Sequence, residues 1–79
     1  MMPVAFVLIN AELGSEDEVA AALRKIDEVK EVHSVYGVYD VIGRVEAETM
    51  DRLKEVLAQK IRRIEKVRST LTMVVMEGT

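Results

Sequence analysis

An internal repeat is the feature that most constrains how this chain can fold. The segment KIDEVK at residues 25–30 matches RIEKVR at residues 63–68, with basic residues at both ends and an acid in third position, at an offset of 38 residues. The same offset aligns Val7 with Val45. Because a chain of 79 residues has room for one domain, we expect residues 1–79 to form a single domain from two copies of one supersecondary unit.

Four segments carry the patterns of β-strands. Residues 4–9 are apolar without interruption and too few for a helix, which predicts a strand buried on both faces. Residues 29–36, 41–46 and 67–76 contain regularly spaced β-branched side chains, which predicts three more strands. Each half of the repeat therefore begins and ends with a strand.

The stretch between the two strands of each half predicts a helix. In the first half, Ser15 and Glu18 form the sequence pattern of a capping box, and an apolar stripe follows. In the second half, Thr49 is placed to act as the N-cap of a helix with a similar stripe. The two stripes consist of Val19, Ala22, Leu23 and Ile26, and of Met50, Leu53, Leu57, Ile61 and Ile64.

The predicted order of elements is strand, helix, strand, strand, helix, strand. Two βαβ halves in this order predict an α+β, ferredoxin-like βαββαβ fold, in which a four-stranded antiparallel sheet carries both helices on one face. Right-handed crossover connections leave few alternative topologies.

The first strand is apolar on both of its faces. These faces consist of Val4, Phe6 and Leu8, and of Ala5, Val7 and Ile9. Two helices can cover only one face of the sheet, and an uncovered apolar face favours association. The chain also has no cysteine, so no disulfide supports its small core. We therefore expect an isologous dimer that packs sheet against sheet.

Composition and charge argue against several classes of function. The net charge is −3, and the basic residues from Arg52 to Arg68 are interleaved with acids as on a solvated helix face, so we expect no direct DNA binding. The single histidine, His33, has no neighbours suited to a metal or catalytic site, so we expect no enzyme activity, metal or cofactor. The apolar run of residues 1–9 is too short to span a membrane. We expect a soluble, cytoplasmic protein, with the charged and cysteine-free composition typical of a thermophile.

The connection between the two middle strands, Gly37-Val38-Tyr39-Asp40, is the strongest candidate for a site. A two-residue hairpin turn prefers Asn-Gly or Asp-Gly and does not need a tyrosine. A glycine that frees the backbone, followed by an aromatic side chain and a carboxylate, is typical of a loop that contacts a small ligand. A longer hairpin connection, with Tyr39 packed on the sheet, is the alternative that these four residues leave open.

Four short motifs, spread over nearly the whole chain, together match the pattern of a known family. They are the apolar strand ending Val7-Leu8-Ile9, the spacing Ile26-x-x-Val29-x-x-Val32, the turn Gly37-x-Tyr39-Asp40 and the strand Val67-x-x-Thr70-x-Thr72. With these motifs in this order, the chain resembles the RAM domain, the amino-acid-sensing C-terminal half of Lrp/AsnC-type transcriptional regulators. The segments 27–28 and 65–66 depart from the family, which usually has Ile-Pro followed by Glu or Gly before the valines. No helix-turn-helix segment precedes Met1, so we expect a stand-alone RAM domain.

The resemblance implies an assembly as well as a fold. It implies a dimer built through the sheets, dimers that form octameric or similar rings, and free amino acids bound as effectors between dimers. We also expect the module to alter full-length Lrp/AsnC regulators by assembling with them.

The resemblance places the effector at the turn between the middle strands. Asp40 is suited to pair with the α-ammonium group, and the amides freed by Gly37 are suited to receive the α-carboxylate. Tyr39 is suited to form a wall of the side-chain pocket. The expected ligand contacts are Gly37, Val38, Tyr39, Asp40, Thr70 and Thr72, with the two threonines supplied by a neighbouring chain.

Two other classes of protein share the predicted fold. A small dimeric ferredoxin-like enzyme, such as an oxygenase, needs polar groups between its helices and sheet, and the apolar stripes offer none. An ACT-type regulatory module usually binds its ligand near a glycine-rich turn after the first strand. The corresponding segment here, residues 10–14, has one glycine, which makes the ACT alternative the weaker one.

Overall fold

The computed structural model describes residues 2–76 and contains one four-stranded antiparallel sheet. Its elements are β1 (Val4–Ala11), α1 (Glu16–Arg24), β2 (Val29–Ser34), β3 (Val41–Glu46), α2 (Met50–Glu55), a π-helical segment (Val56–Ile61) that continues α2, and β4 (Val67–Val74). The strand order is β2-β3-β1-β4, which confirms the predicted ferredoxin-like βαββαβ fold. Within these residues, no helix is long and apolar enough to cross a membrane.

The strand boundaries differ from the predicted ones by two residues in three cases. β3 has the predicted bounds, whereas β2 ends at Ser34, and the bond of 2.9 Å from the next amide, that of Val35, to the carbonyl of Asp40 closes the turn. β1 extends to Ala11 because its pairing with β4 continues to that residue. β4 ends at Val74.

The hydrophobic core lies between one face of the sheet and the helices. Its fully buried members include Ala5, Val7 and Ile9 of β1, Val41 and Val45 of β3, Val19 and Leu23 of α1, and Leu53, Val56 and Ile61 of the second helix. One of the two predicted apolar faces of β1 is therefore the core face.

The other apolar face of β1 is not covered within one chain. Phe6 lies opposite Met73 in the β1–β4 ladder, and Leu8 lies opposite Leu71. Phe6, Leu71 and Met73 are 38%, 48% and 51% exposed. Phe6, Leu8, Leu71 and Met73 are called the open sheet face below. It is the surface from which the sequence predicts a dimer.

The β2 and β3 side of the same sheet face is charged. Arg44 lies opposite Phe6, and its Nε donates a hydrogen bond of 2.7 Å to Glu31 Oε2. His33 Nε2 lies 3.2 Å from Glu31 Oε1. The hydrogen bond from Arg44 holds the pKa of Glu31 below its usual value. The uncovered face is thus apolar on β1 and β4 and charged on β2 and β3. The pattern of the first strand alone could not indicate this division.

The two halves are related by an approximate twofold axis, but not at a single offset. Ala11 lies opposite Val67 in the β1–β4 ladder, and Val45 lies opposite Val29 in the β3–β2 ladder. Val29 therefore corresponds to Val67 at the predicted offset of 38, whereas Ala11 corresponds to Val45 at an offset of 34. The predicted alignment of Val7 with Val45 is wrong by four residues, because the second half is four residues longer between its two strands.

The additional residues lie in the second helix. Val19 and Leu23 are buried four residues apart in α1, whereas their counterparts Leu53 and Ile61 are buried eight residues apart. Eight residues of regular α-helix make about 2.2 turns, which places the second side chain about 80° around the helix axis from the first, near the edge of an apolar stripe.

The second helix also changes type after Glu55. In the π-helical segment the amide of Arg62 donates to the carbonyl of Leu57 at 3.1 Å, a bond that spans five residues instead of four. These wider turns bring Ile61 closer to the side of the helix on which Leu53 lies. The buried set also differs from the predicted stripe, since Val56 is buried and Met50, at the first position of α2, is exposed.

The two helix starts differ in how they are capped. Thr49 has the extended backbone of an N-cap, and its Oγ1 accepts from the amide of Arg52 at 3.1 Å, as predicted. The predicted capping box at Ser15 is wrong, because its side chain makes no capping bond. A tight turn at Gly14, with φ of +80°, leaves Ser15 at φ −109° and ψ 12°. Glu16 Oε2 accepts from the amide of Gly14 at 3.0 Å instead.

Candidate ligand-binding cleft

The turn between β2 and β3 projects from the end of the sheet. It is closed by the bond from the amide of Val35 to the carbonyl of Asp40. Gly37 has φ of +142°, which side chains with a Cβ rarely adopt. Val38, at the tip, is 82% exposed. The glycine is thus needed for the backbone path, and the tip is free of the rest of the chain.

Asp40 is anchored to the end of β1 by two hydrogen bonds. Its Oδ2 accepts from the amide of Ala11 at 2.9 Å, and its own amide donates to the carbonyl of Ile9 at 2.9 Å. The carboxylate therefore serves the fold by satisfying a strand amide. Sequence reasoning missed this role, because the contact joins residues 29 positions apart.

A bulge in the β1–β4 ladder lies beside this anchor. Asn10 is opposite Ser69 and Ala11 is opposite Val67, so Arg68 is an extra residue with no partner in the ladder. Bulges re-aim side chains and are common next to functional sites. Here one bulge places the Arg68 side chain at the strand end that Asp40 holds.

Two open clefts meet at Asp40. The first has a volume of about 470 Å³ and is lined by Asn10, Ala11, Leu13, Glu16, Asp40, Arg68 and Ser69. The second has a volume of about 280 Å³ and is lined by Glu16, Asp17, Ser34, Val35, Tyr36 and Asp40. The end of β1, the start of α1, the β2–β3 turn and the start of β4 together build these clefts.

Charges of both signs line the first cleft. Asp40 and Glu16 carry carboxylates, and each has one oxygen bound to a backbone amide, that of Ala11 and that of Gly14. Arg68 takes part in none of the ion pairs found among residues 2–76. A cleft with an anchored carboxylate and an uncommitted guanidinium can hold a small ligand that bears both charges.

The structure places the predicted site residues in different surroundings. Asp40 lines both clefts, whereas Gly37, Val38 and Tyr39 are not among the residues that line them. Tyr36, which sequence reasoning treated only as the end of a strand, lines the second cleft. Within one chain, Tyr36 is thus the aromatic residue that lines a cleft together with Asp40.

The two predicted threonines lie elsewhere. Thr70 and Thr72 line a separate groove of about 370 Å³. The groove is completed by Lys54, Leu57, Ala58, Arg62 and Leu71. One chain does not bring these hydroxyl groups to Asp40, so their contribution from a neighbouring chain stays a prediction.

A second charged cluster ties the start of β2 to α2. Arg52 Nη2 lies 2.9 Å from Glu28 Oε2, and Arg52 Nη1 lies 2.8 Å from Glu55 Oε1. Burial raises the pKa of Glu28, but the hydrogen bond and charge of Arg52, with the charge of Lys60, outweigh it and hold that pKa below the usual value. This cluster is structural, because its charges neutralise one another. Among residues 2–76, no group of acids and histidine is arranged to hold a metal ion.

The fold and the cleft define a class of protein: a small α+β domain with a charged cleft at one end of its sheet and an apolar sheet face that its own helices do not cover. The family follows from comparison, since the model of the Lrp/AsnC ligand-binding domain matches residues 4–79. The chain belongs to this family of transcriptional-regulator domains, and the predicted resemblance is confirmed.

Individual relatives agree with this assignment. The chain is similar to an uncharacterized HTH-type transcriptional regulator of Pyrococcus furiosus, at 38% identity over 73 residues, which cover 89% of this chain and 49% of the regulator. It is similar to the HTH-type transcriptional regulator FL11 of the same organism, at 34% identity over 94% of this chain and 48% of FL11. The chain thus spans about half the length of these relatives. The crystal structure of FFRP-DM1 matches with a TM-score of 0.90 and 38% identity, over 96% of this chain and all of that one.

Proposed function

We propose that this chain is an amino-acid-binding regulatory module, which assembles with itself and modulates transcriptional regulators of the Lrp/AsnC family. The observation that carries the proposal is the position of Asp40. Its carboxylate lies at the junction of two open clefts, in a domain whose family is defined by ligand binding. In this proposal the module acts by binding alone and catalyses no reaction.

In the proposed complex, Asp40 pairs with the α-ammonium group of a free amino acid. Its Oδ2 accepts from Ala11, whereas Oδ1 accepts no hydrogen bond from the described residues and is left for the ligand. The turn at Gly37 of the same chain adds further contacts. The hydroxyl groups of Thr70 and Thr72 come from a neighbouring chain. The ligand therefore lies between subunits and links binding to assembly.

The proposed assembly begins with a dimer formed through the open sheet face. Phe6, Leu8, Leu71 and Met73 pack against the same residues of a second chain, which removes apolar surface from water. Dimers then join into a closed ring, octameric or similar, in which the exposed β2–β3 turns meet neighbouring dimers.

The proposed regulation acts by mixed assembly. Because the full-length relatives carry a domain of this family, their ligand-binding domains offer this chain the same kind of interface that it offers itself. A mixed ring would change the number or spacing of DNA-binding segments in the complex. The bound amino acid would set the ratio of mixed rings to rings of this chain alone.

A thermal-denaturation screen of the wild-type chain with each of the twenty amino acids tests the ligand proposal. A ligand present at about 100 times its Kd stabilises the folded form by about 2.7 kcal/mol, which raises Tm by several degrees. We expect at least one amino acid to do so. If all twenty leave Tm unchanged, the chain is not an amino-acid sensor.

A further inference from the structure

We propose that Arg68 binds the α-carboxylate of the effector, so that one chain holds both charged groups of a free amino acid across the first cleft. The inference rests on the proposed function and deepens it by naming the second charged partner and the class of ligand. That class is the free α-amino acid with both its amino and its carboxyl group unblocked.

The bulge in the β1–β4 ladder brings Arg68 close to the anchor of Asp40. Arg68 and Ala11 lie at the same break in the β1–β4 ladder, and the amide of Ala11 is the one that holds Asp40 Oδ2 at 2.9 Å. A single irregularity of the sheet thus positions the guanidinium and the carboxylate at the mouth of one cleft. The two groups do not form an ion pair with each other, so neither charge is neutralised by the other.

The pseudo-symmetric twin of this bulge provides an internal comparison. In the β2–β3 ladder, Val29 is opposite Val45 and Glu31 is opposite Arg44, so Lys30 is the extra residue there. Lys30 corresponds to Arg68 in the sequence repeat.

The two extra cations differ in what they bind. Lys30 Nζ donates to the carbonyl of Asp27 at 2.9 Å and is used within the chain. Arg68 has no such bond among residues 2–76 and lines a cleft that contains a carboxylate. The same structural device therefore serves the fold in one half and is free for a ligand in the other.

The chemistry of Arg68 suits a carboxylate. A guanidinium donates two parallel N–H···O bonds to a carboxylate, which fixes both position and orientation, and a lysine cannot reproduce this geometry. Asp40, which lines the same cleft, matches the ammonium group. The sequence predicts that backbone amides at Gly37 bind the α-carboxylate of the ligand, but Gly37 does not line this cleft.

Calorimetric titration of Arg68→Gln with the twenty amino acids and with their α-carboxamides tests the inference, and Lys30→Gln is the matched control. We expect the wild type to bind a free amino acid and to discriminate against its carboxamide. Arg68→Gln should bind the free acid about 10- to 100-fold more weakly and lose this discrimination. Arg68→Lys should restore part of it, and Lys30→Gln should bind as the wild type does. Arg68 is exposed, so all variants should keep the wild-type circular dichroism spectrum.

Two results would contradict these expectations, and each has a different consequence for the proposed function. If the wild type binds an amino acid and Arg68→Gln binds it equally well, or weakens acid and carboxamide alike, the role of Arg68 is wrong while the proposed function stands. If the wild type binds none of the twenty, the proposed function itself fails, and the role of Arg68 fails with it.

Discussion

At the scale of single residues, Asp40 has one structural role and one proposed role. The bond from the amide of Ala11 to Asp40 Oδ2 is part of the fold, and the pairing with an α-ammonium group is the proposed function. Asp40→Ala would remove both at once, so a loss of binding in that variant would not separate them. Asn is the informative replacement, because its amide oxygen can still accept from Ala11 while the charge is gone.

We predict that Asp40→Asn lowers amino-acid affinity by about 1.5–3 kcal/mol, the range for hydrogen bonds to charged groups, and leaves Tm of the unliganded protein nearly unchanged. Calorimetry measures the affinity and thermal denaturation measures the stability. Glu48→Gln, which removes an exposed carboxylate from a separate cleft lined by Met2 and Arg52, is the control for net charge. Unchanged affinity in Asp40→Asn would mean that this carboxylate serves only the fold.

The sequence indicated the candidate turn but not the contacts that build the cleft. Gly37 and Asp40 stood out because a plain hairpin needs neither an aromatic nor an acid beside its glycine. The part played by Arg68 was hidden, because it depends on a bulge that only the pairing of two distant strands creates. The repeat carried a signal for it, since Lys30 and Arg68 are aligned basic residues that each follow the first valine of a strand.

At the scale of elements, the two helix starts allow a matched comparison. We predict that Thr49→Ala lowers the free energy of unfolding by about 0.5–2 kcal/mol, because the amide of Arg52 loses its capping oxygen. Ser15→Ala should change it by less, because that side chain makes no capping bond. Urea denaturation of both variants measures the difference. A larger loss in Ser15→Ala would show that the serine does cap α1.

The tie between Glu28 and Arg52 predicts a dependence on pH. Burial raises the pKa of Glu28, but the hydrogen bond and charge of Arg52 hold it below its ordinary value in the folded chain, so the charge contributes stability above that ordinary value. This contribution is lost as the pH falls through the lower, folded value. We predict that Glu28→Gln is less stable than the wild type near neutrality and that the difference disappears in acid. Denaturation at a series of pH values measures it, and a difference independent of pH would contradict the ion pair.

Element order and type followed from periodicity, whereas the π-helical segment did not. An apolar side chain every three or four residues predicts an α-helix, and the stripe from Met50 to Ile64 fits that pattern well enough to hide the change of helix type. The extra residues became visible only when the two strand ladders were superposed. The capping box failed for a similar reason, because the geometry of the turn before α1 decides it.

At the scale of the whole molecule, the open sheet face should decide the assembly. We predict that the wild type is at least a dimer and that Met73→Glu shifts it to a monomer, because a charge that is tolerated on a half-exposed strand is costly inside an apolar interface. Light scattering after size-exclusion chromatography measures the mass. Met50→Glu, which changes a 41% exposed methionine at the start of α2, is the matched control and should keep the mass of the wild type. A wild-type monomer would leave the apolar face without a partner.

The central claim is that this domain senses a free amino acid, and calorimetric titration of the wild type tests it most directly. The titrant is the amino acid that raises Tm most in the thermal screen. The account predicts saturable heat of binding, with one ligand per chain in the assembled form and a mass by light scattering that responds to the ligand. The absence of saturable heat from all twenty amino acids would contradict it.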